Sequence, residues 1–364
     1  MTRLLEFLIA LGLVLALFVV IGFVLPSERR LSESVETNRK MTIVYDTVNN
    51  VRRLKDWNQL LPAKSPTVQY SGGGADHEGV GARVDFNTPE FGKGFWEITD
   101  SKRPPATGGN GDVVYKIVDN KLGSEKTTTF TLSPTGKNNR NVKVTQTYDV
   151  KYQWWNLIGR YAGMYVSRQV GDAMKSSLAK LTNLLASVPN ADYREEGSTL
   201  VDLKTVDVPA EDLLVVNAGN IDLNNDAIKA SIKSNQEWIK RVMDANGLVA
   251  AGPVRIITTD MGADKYAFDV AQPVTKSGVT PGTLTATISG GAPVKVVNTQ
   301  AHRAASANYT GYMSGLNNAR DALRAWATTY GYEVTDRPYE SWNSGTDAPF
   351  TSQDSKYTLY WAVK

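Results

Sequence analysis

The sequence predicts an α+β protein in three parts. These are an N-terminal transmembrane helix, an antiparallel sheet curled about one long helix, and a pseudo-duplicated strand–strand–helix–strand–strand domain. Three observations carry this reading. Residues 7–25 are an unbroken apolar run. Short strand-like segments then succeed one another up to a single long helical pattern at 156–188, the order of an antiparallel meander rather than of βαβ units. Beyond residue 198, one succession of strands, helix and punctuation occurs twice.

The parts divide as an anchor at 1–28, a first soluble domain at 29–190, a linker at 191–198 and a second domain at 199–364. The linker is polar, with Arg194, Glu195, Glu196 and Gly197. A chain of 364 residues, 41% of them hydrophobic, suffices for two cores beside an anchor. A formal net charge of +3 leaves no nucleic-acid footprint, and no helix-turn-helix with a basic face is present, so no nucleic-acid partner is expected. The absence of cysteine removes disulfides, thiolate nucleophiles and cysteine metal sites. With His77 and His302 as the only histidines, a histidine-rich metal site is not expected either.

The run at 7–25 is long enough to cross a hydrocarbon core of roughly 30 Å. Leu, Ile, Val and Phe dominate it, each worth roughly −0.3 to −0.6 kcal/mol, which outweighs Gly12 and Gly22. A cleaved signal peptide is the rival. The run exceeds the usual apolar core of about 7–15 residues, and Val24-Leu25-Pro26-Ser27 lacks the small residues of a cleavage site, so an uncleaved single-pass anchor is expected. Arg3 precedes the span, while Arg29, Arg30, Arg39 and Lys40 follow it; the heavier basic side places the body in the cytoplasm.

In the first domain, Leu31, Glu33 and Val35 alternate with Ser32, Ser34 and Glu36, predicting a strand over 31–37. Two short helices follow at 41–48 and 51–61, the second carrying Trp57 and closed by Pro62. Strands are predicted at 67–70, 81–87, 94–100, 113–118, 127–132 and 142–152, with turns at Gly72-Gly73-Gly74, Gly108-Gly109 and Lys137-Asn138-Asn139. Over 156–188, Val170, Met174, Leu178, Leu181 and Leu185 share one helix face, and Lys175, Lys180 and Asn183 fall opposite. Asn156 serves as N-cap and Pro189 ends the run, giving a rod about 45 Å long. Gly159, Gly163 and Gly171 lie among the bulky Leu157, Tyr161, Met164 and Tyr165. Each glycine costs roughly 1 kcal/mol against alanine, so close packing or a yielding lid is implied. A core helix on a curved sheet and a helix roofing a ligand cavity both fit.

Glu78-Gly-Val-Gly-Ala-Arg-Val84, Gly92-Lys-Gly-Phe-Trp-Glu-Ile-Thr99, Pro104-Pro105 and Trp57-Asn58 resemble the polyketide cyclase/dehydrase branch of the START-like (SRPBCC) superfamily. Lys93 departs from the small residue more usual there. The resemblance covers roughly 30–188 and implies a helix-grip fold, its sheet grasping the last helix over a hydrophobic cavity for a lipid-like or other apolar molecule. Trp96, Tyr115, Tyr148, Trp154, Tyr161 and Tyr165 are the candidate lining, with ordinary core as the alternative. His77, in a Gly-rich turn beside Asp76 and Glu78, reads as a solvated loop residue.

In the second domain the first copy runs as strands 199–208 and 213–217, helix 226–245, and strands 254–260 and 265–271. The second runs as strands 294–299 and 304–309, helix 314–330, and strands 339–343 and 356–363. Gly247 and Gly331 close the two helices, and Pro253 and Pro338 precede the next strands. Two such copies predict one sheet with two helices on one face and a ligand groove between the halves. Tyr309-Thr-Gly-Tyr312, Trp326, Gly331-Tyr332 and Pro338-Tyr-Glu340 resemble the GyrI-like effector-binding domain, a drug-sensing module of bacterial transcription regulators. The resemblance covers most of 200–364 and implies a bacterial inner-membrane protein here.

Glu340 and Trp342 share one strand face, with Tyr339, Ser341 and Asn343 on the other. A carboxylate beside an indole is costly to bury unless a cation or donor meets it. The resemblance implies that Glu340 meets cationic ligands, to which Trp342, Tyr309 or Tyr312 would add roughly 0.5–2 kcal/mol by cation–π contact. The alternative is an exposed strand-edge glutamate paired with Arg337 or Arg255. Thr358 stands where the family often has a second glutamate, which weakens selectivity for cations. No nucleophile elbow, P-loop, dinucleotide fingerprint or zinc helix motif occurs, and no catalytic residue or cofactor is assigned. The expectation is therefore a membrane-anchored, non-catalytic binder of an apolar or lipid-like molecule in the first domain and an amphipathic or cationic effector in the second. A cyclase or hydrolase acting on a small hydrophobic substrate, and a membrane-associated scaffold, are the alternatives.

Overall fold

The computed structural model of the chain describes residues 2–62, 68–89, 92–105, 108–194, 200–288 and 290–364. Two compact units divide it, Met1–Ser187 and Val188–Lys364. Residue 67 of one expected strand, residues 195–198 of the expected linker and residue 199 of another strand lie outside the described residues.

The first unit opens with α1 (Thr2–Val24). After it come β1 (Glu28–Thr37), α2 (Met41–Val48), α3 (Leu54–Trp57), β2 (Gln69–Ser71), β3 (Arg83–Thr88) and β4 (Gly92–Lys102). The unit continues with β5 (Gly111–Val118), β6 (Ser124–Thr135), β7 (Asn141–Lys151), α4 (Leu157–Ala162) and α5 (Val166–Ser187). The strands form one antiparallel sheet in the order β1-β7-β6-β5-β4-β3-β2. β1 lies along the whole of β7, from Glu28 opposite Lys151 to Thr37 opposite Val142. Period-2 alternation turns Val113, Tyr115 and Ile117, and Val142, Val144, Tyr148 and Val150, to the buried side. Met174, Leu178, Leu181 and Leu185 of α5 are buried as well, each worth roughly 1.5–3 kcal/mol.

Two helices come out shorter than their patterns. The expected helix at 51–61 contracts to α3, because the Asn50 and Asn58 carboxamide oxygens accept from the Arg52 and Leu60 amides at 2.9 Å each. Such side-chain turns offer the backbone an alternative to helical bonding. The expected rod over 156–188 is broken into α4, a 3₁₀ turn at Gly163–Tyr165, and α5. The break falls at Gly163, where an added Cβ would come within 3.0 Å of the Tyr152 ring. Asn156 caps α4, its side chain accepting from the Gly159 amide at 2.8 Å.

The second unit comprises β8 (Leu200–Val208), β9 (Glu211–Asp222), α6 (Asn225–Asn246), β10 (Val249–Ala250), β11 (Arg255–Met261) and β12 (Lys265–Thr275). Its second half adds β13 (Val294–Thr299), β14 (His302–Thr310), α7 (Leu316–Thr329), β15 (Tyr339–Trp342) and β16 (Lys356–Ala362). Asn224 caps α6 by accepting from the Ala227 amide at 2.8 Å, and Gly247 ends it at φ 62°, in the left-handed region that favours glycine. The helix expected at 314–330 starts instead with a 3₁₀ turn, Met313–Gly315.

The main path of this sheet runs β13-β9-β12-β11-β15-β16-β14-β8, with β10 added beside β12. Reading it from either end gives equivalent strands of the two copies. The first strand of each copy leaves its own half and pairs with the other, β13 on β9 and β8 on β14. The halves meet at the antiparallel pair β11–β15, where Ile256 faces Glu340 across the ladder. α6 packs on β9, β12 and β13, and α7 on β8, β14 and β16.

Candidate functional site

The site is built from the strand faces turned away from α7. Because neighbours in a strand point to opposite sides, Glu340 points to α7 while Tyr339 and Ser341 point away. The same parity places Arg255 and Ile257 of β11, Glu211, Leu213 and Val215 of β9, and Thr358 and Tyr360 of β16 on the open side. At the junction of the halves, Arg255 donates from both terminal nitrogens to the two Glu211 oxygens, at 2.6 and 2.8 Å. This fork-on-carboxylate geometry holds both planes fixed. Arg255 also lies 5.1 Å from the Tyr339 ring centre, and Tyr339 stacks on Tyr360 at 4.9 Å and 13°. Burial alone would lower the Arg255 pKa, but the Glu211 carboxylate more than offsets it and holds the guanidinium above its ordinary value. Burial raises the Tyr339 hydroxyl against the pull of Arg255, so it stays protonated at neutral pH.

Two hollows share the wall formed by Glu211, Arg255 and Tyr339. One, of about 320 Å³, is polar, with Lys204, Asp207, Ser306 and Asn308 on its sides. The other, of about 450 Å³, has Leu213, Val215, Ile257 and Val297 as an apolar floor. Its rim carries Arg337, Asp269, Lys295 and His302. Arg337 donates to Asp269 at 2.9 Å, and Asn217 meets the other oxygen of that carboxylate at 2.5 Å. Apolar floor and fixed, mostly paired charges together suit an amphipathic guest.

The residues singled out from the sequence lie elsewhere. Glu340 is wholly buried, and the cation it meets is Arg320 of α7, at 2.5 and 3.3 Å, rather than Arg337 or Arg255. Arg320 also donates to the Tyr266 hydroxyl at 3.1 Å, and that hydroxyl is 2.9 Å from Thr258. Trp342 is packed beside this network, edge-on to Tyr357 at 5.7 Å. The Tyr309 hydroxyl donates to the Tyr312 carbonyl at 3.0 Å and lies over Gly311 and Gly315, where any Cβ would collide with it. Tyr312 is exposed. In the first unit, Trp96 and Tyr115 are 1% and 0% exposed, so they present no surface that water could reach and serve as core. Tyr115 donates to the Val48 carbonyl at 2.6 Å, and its ring meets Phe130, which in turn meets Trp57. Tyr148 is buried in the same sheet face, and burial raises its hydroxyl pKa. Tyr161 stacks on Phe18 of α1, and Tyr165 is exposed.

Arg255, Glu211, Tyr339 and Tyr360 are the residues that sequence reasoning did not select. The usable signal was parity: whatever Glu340 faces, Tyr339 does not.

No family model matches the chain, and no curated protein matches it. Solved structures do. The EcmrR C-terminal domain aligns at 17% identity over 45% of this chain and 97% of its own, with a TM-score of 0.34. EcmrR in a complex with DNA aligns at 18% identity over 57% of this chain and 71% of its own, with a TM-score of 0.36. A norcoclaurine synthase point mutant from Thalictrum flavum, bound to a transition-state analogue, aligns at 16% identity over 44% of this chain and 97% of its own, with a TM-score of 0.33.

Proposed function

We propose that the chain is a membrane-anchored binding protein that takes a small amphipathic molecule into the groove of its second sheet. One observation carries this: an apolar floor of Leu213, Val215, Ile257 and Val297 adjoins a fixed ion pair and two stacked tyrosines on the face turned away from α7. The apolar body of the guest would lie on that floor, with its polar end against Arg255–Glu211 or the rim charges. Flat rings would extend the Tyr339–Tyr360 stack. α1 supplies the anchor in this reading, being long and apolar enough to span a bilayer. The first domain enters it without a cavity at Trp96 and Tyr115, whose surfaces are closed.

The test uses the full chain in lipid nanodiscs, titrated with rhodamine 6G, an aromatic amphipathic cation, and with anilinonaphthalene sulfonate, its anionic counterpart. Empty nanodiscs give the blank. Ile257→Glu and Tyr339→Ala should each weaken saturable binding of at least one dye about tenfold, a loss of about 1.4 kcal/mol. Glu340→Gln should leave the dissociation constant of the folded protein unchanged. Equal affinity in wild type, Ile257→Glu and Tyr339→Ala would remove the groove as the site.

A further inference from the structure

The segment between β7 and α5 carries a surface that no soluble role explains. Trp154, Trp155 and Ile158 are 66%, 61% and 68% exposed, and Met164 and Tyr165 are exposed beside them. Single exposed apolar residues are ordinary, but a contiguous patch holding two indoles marks a contact surface. Its place beside α1 identifies the contact. Tyr161 stacks on Phe18 at 4.3 Å and 8°, and its hydroxyl donates to the Phe18 carbonyl at 2.7 Å. Trp154 stands over Phe23 at 6.4 Å, and Trp155 meets Trp154 edge-on at 5.8 Å.

α4 is also fastened to the end of α1. Gly22 is the one buried residue of α1 among those described, and an added Cβ there would come within 3.1 Å of Leu157 and 3.3 Å of Tyr161. Arg160 is buried and donates to the carbonyls of Gly22, Phe23 and Leu25 at 3.3, 3.0 and 3.3 Å. These are carbonyls that a helix end leaves without intrahelical partners. Where water is scarce, leaving them bare would be costly, and a cation suits the negative end of the helix dipole.

We propose that α4 and the Trp154–Trp155 turn form a second membrane-contacting element, seated in the headgroup–acyl boundary of the bilayer that α1 crosses. This rests on the anchor reading given above. Phe18 lies six residues before the end of α1 at Val24, which is about 9 Å along the axis. A ring stacked on it therefore sits at the depth that interfacial helices reach, about 5–10 Å. Trp and Tyr are the residues enriched at that level. The bilayer is the occupant because the exposed patch continues the lipid-facing surface of α1 itself. The first domain is thereby held against the membrane face.

The natural chain has no cysteine, so one introduced cysteine can be labelled alone. Nitroxide would be attached in turn at Ile158→Cys, Leu13→Cys and Lys137→Cys in the full chain reconstituted into phosphatidylcholine–phosphatidylglycerol vesicles. Leu13 reads the span. Lys137 lies in the β6–β7 turn, about 30 Å of strand away from the α1 end of the sheet. Collisions with lipid-soluble oxygen and with a water-soluble nickel chelate are compared. The label at 158 should follow Leu13, with nickel collisions several-fold fewer than at Lys137. If Leu13 is in lipid while 158 collides with nickel as Lys137 does, the interfacial seat is wrong and the anchor stands. A label at 158 shielded from both reagents would mean a protein contact, such as a second copy, and would equally overturn it. If Leu13 itself is in water, the anchor reading fails and this inference with it. Trp155→Cys repeats the measurement should Ile158→Cys not fold.

Discussion

Glu340 and Arg320 show how much turns on one residue of register. Both side chains are closed to water, with their charges 2.5 Å apart. Removing one partner of such a pair strands the other, at a cost of about 3–5 kcal/mol, whereas replacing both with apolar groups of similar size is often close to neutral. Glu340→Leu should therefore lower the free energy of unfolding by about that amount, and Arg320→Met with Glu340→Leu should recover most of it; urea denaturation followed by tryptophan fluorescence reads both. That Glu340 needs a cation was legible from the carboxylate–indole face alone. The identity of the cation was not. In the ladder Arg255 stands opposite Ser341, so it shares the face of Ser341 and turns away from Glu340. Arg337 likewise goes to Asp269 on the open side. The true partner comes from α7, and only the packing of that helix brings it there.

Among the elements, strands were legible because period 2 survives packing: β1, β4, β5, β6, β9, β12 and β14 contain the expected segments and lengthen them, and the other expected strands match or differ by one or two residues at an end. Helices were misjudged at 51–61, where the Asn50 and Asn58 side chains compete with the backbone and trim α3, and at 156–188, which breaks at Gly163; the start of α4 at its Asn156 cap was expected. The last of these is testable. Asn156→Ala should cost α4 about 1 kcal/mol, quickening hydrogen exchange at the Gly159 amide about fivefold, while Asn156→Ser should restore most of the protection. No change at Gly159 would mean that its amide is protected by something other than the cap. The duplication in the second unit was visible from its matched glycines and prolines. The exchange of β8 and β13 between the halves was not, since edge pairing depends on which strand is left uncovered rather than on any local pattern.

At the level of the molecule, each sheet is completed by strands of its own unit: β1 to β7 within one, β8 to β16 within the other. A fragment of residues 188–364 should therefore fold by itself, with a dispersed amide spectrum and one cooperative thermal transition, and should bind the two dyes as the whole chain does. A disordered fragment would show that the second sheet depends on the first unit. The change of pattern near residue 198 led to an expected linker at 191–198, whereas the two compact units meet at Ser187 and Val188. A ligand groove between the halves of the second unit was expected from the duplication; the residues that line the hollow were not, because they come from β9, β11, β13 and β15 and no two of the central ones are neighbours in sequence.

The short passage from α1 to β1 has a mechanical consequence. Three residues separate Val24 from Glu28, and Arg160 grips the carbonyl of the first of them while Tyr152 bonds that of Ser27 at 2.7 Å. Nothing slack lies between α1 and the sheet edge. If α1 crosses a bilayer as proposed, a thinner or thicker one that tips it delivers the tilt to β1 as torque, as by a lever, where a loose leash would have let it dissipate.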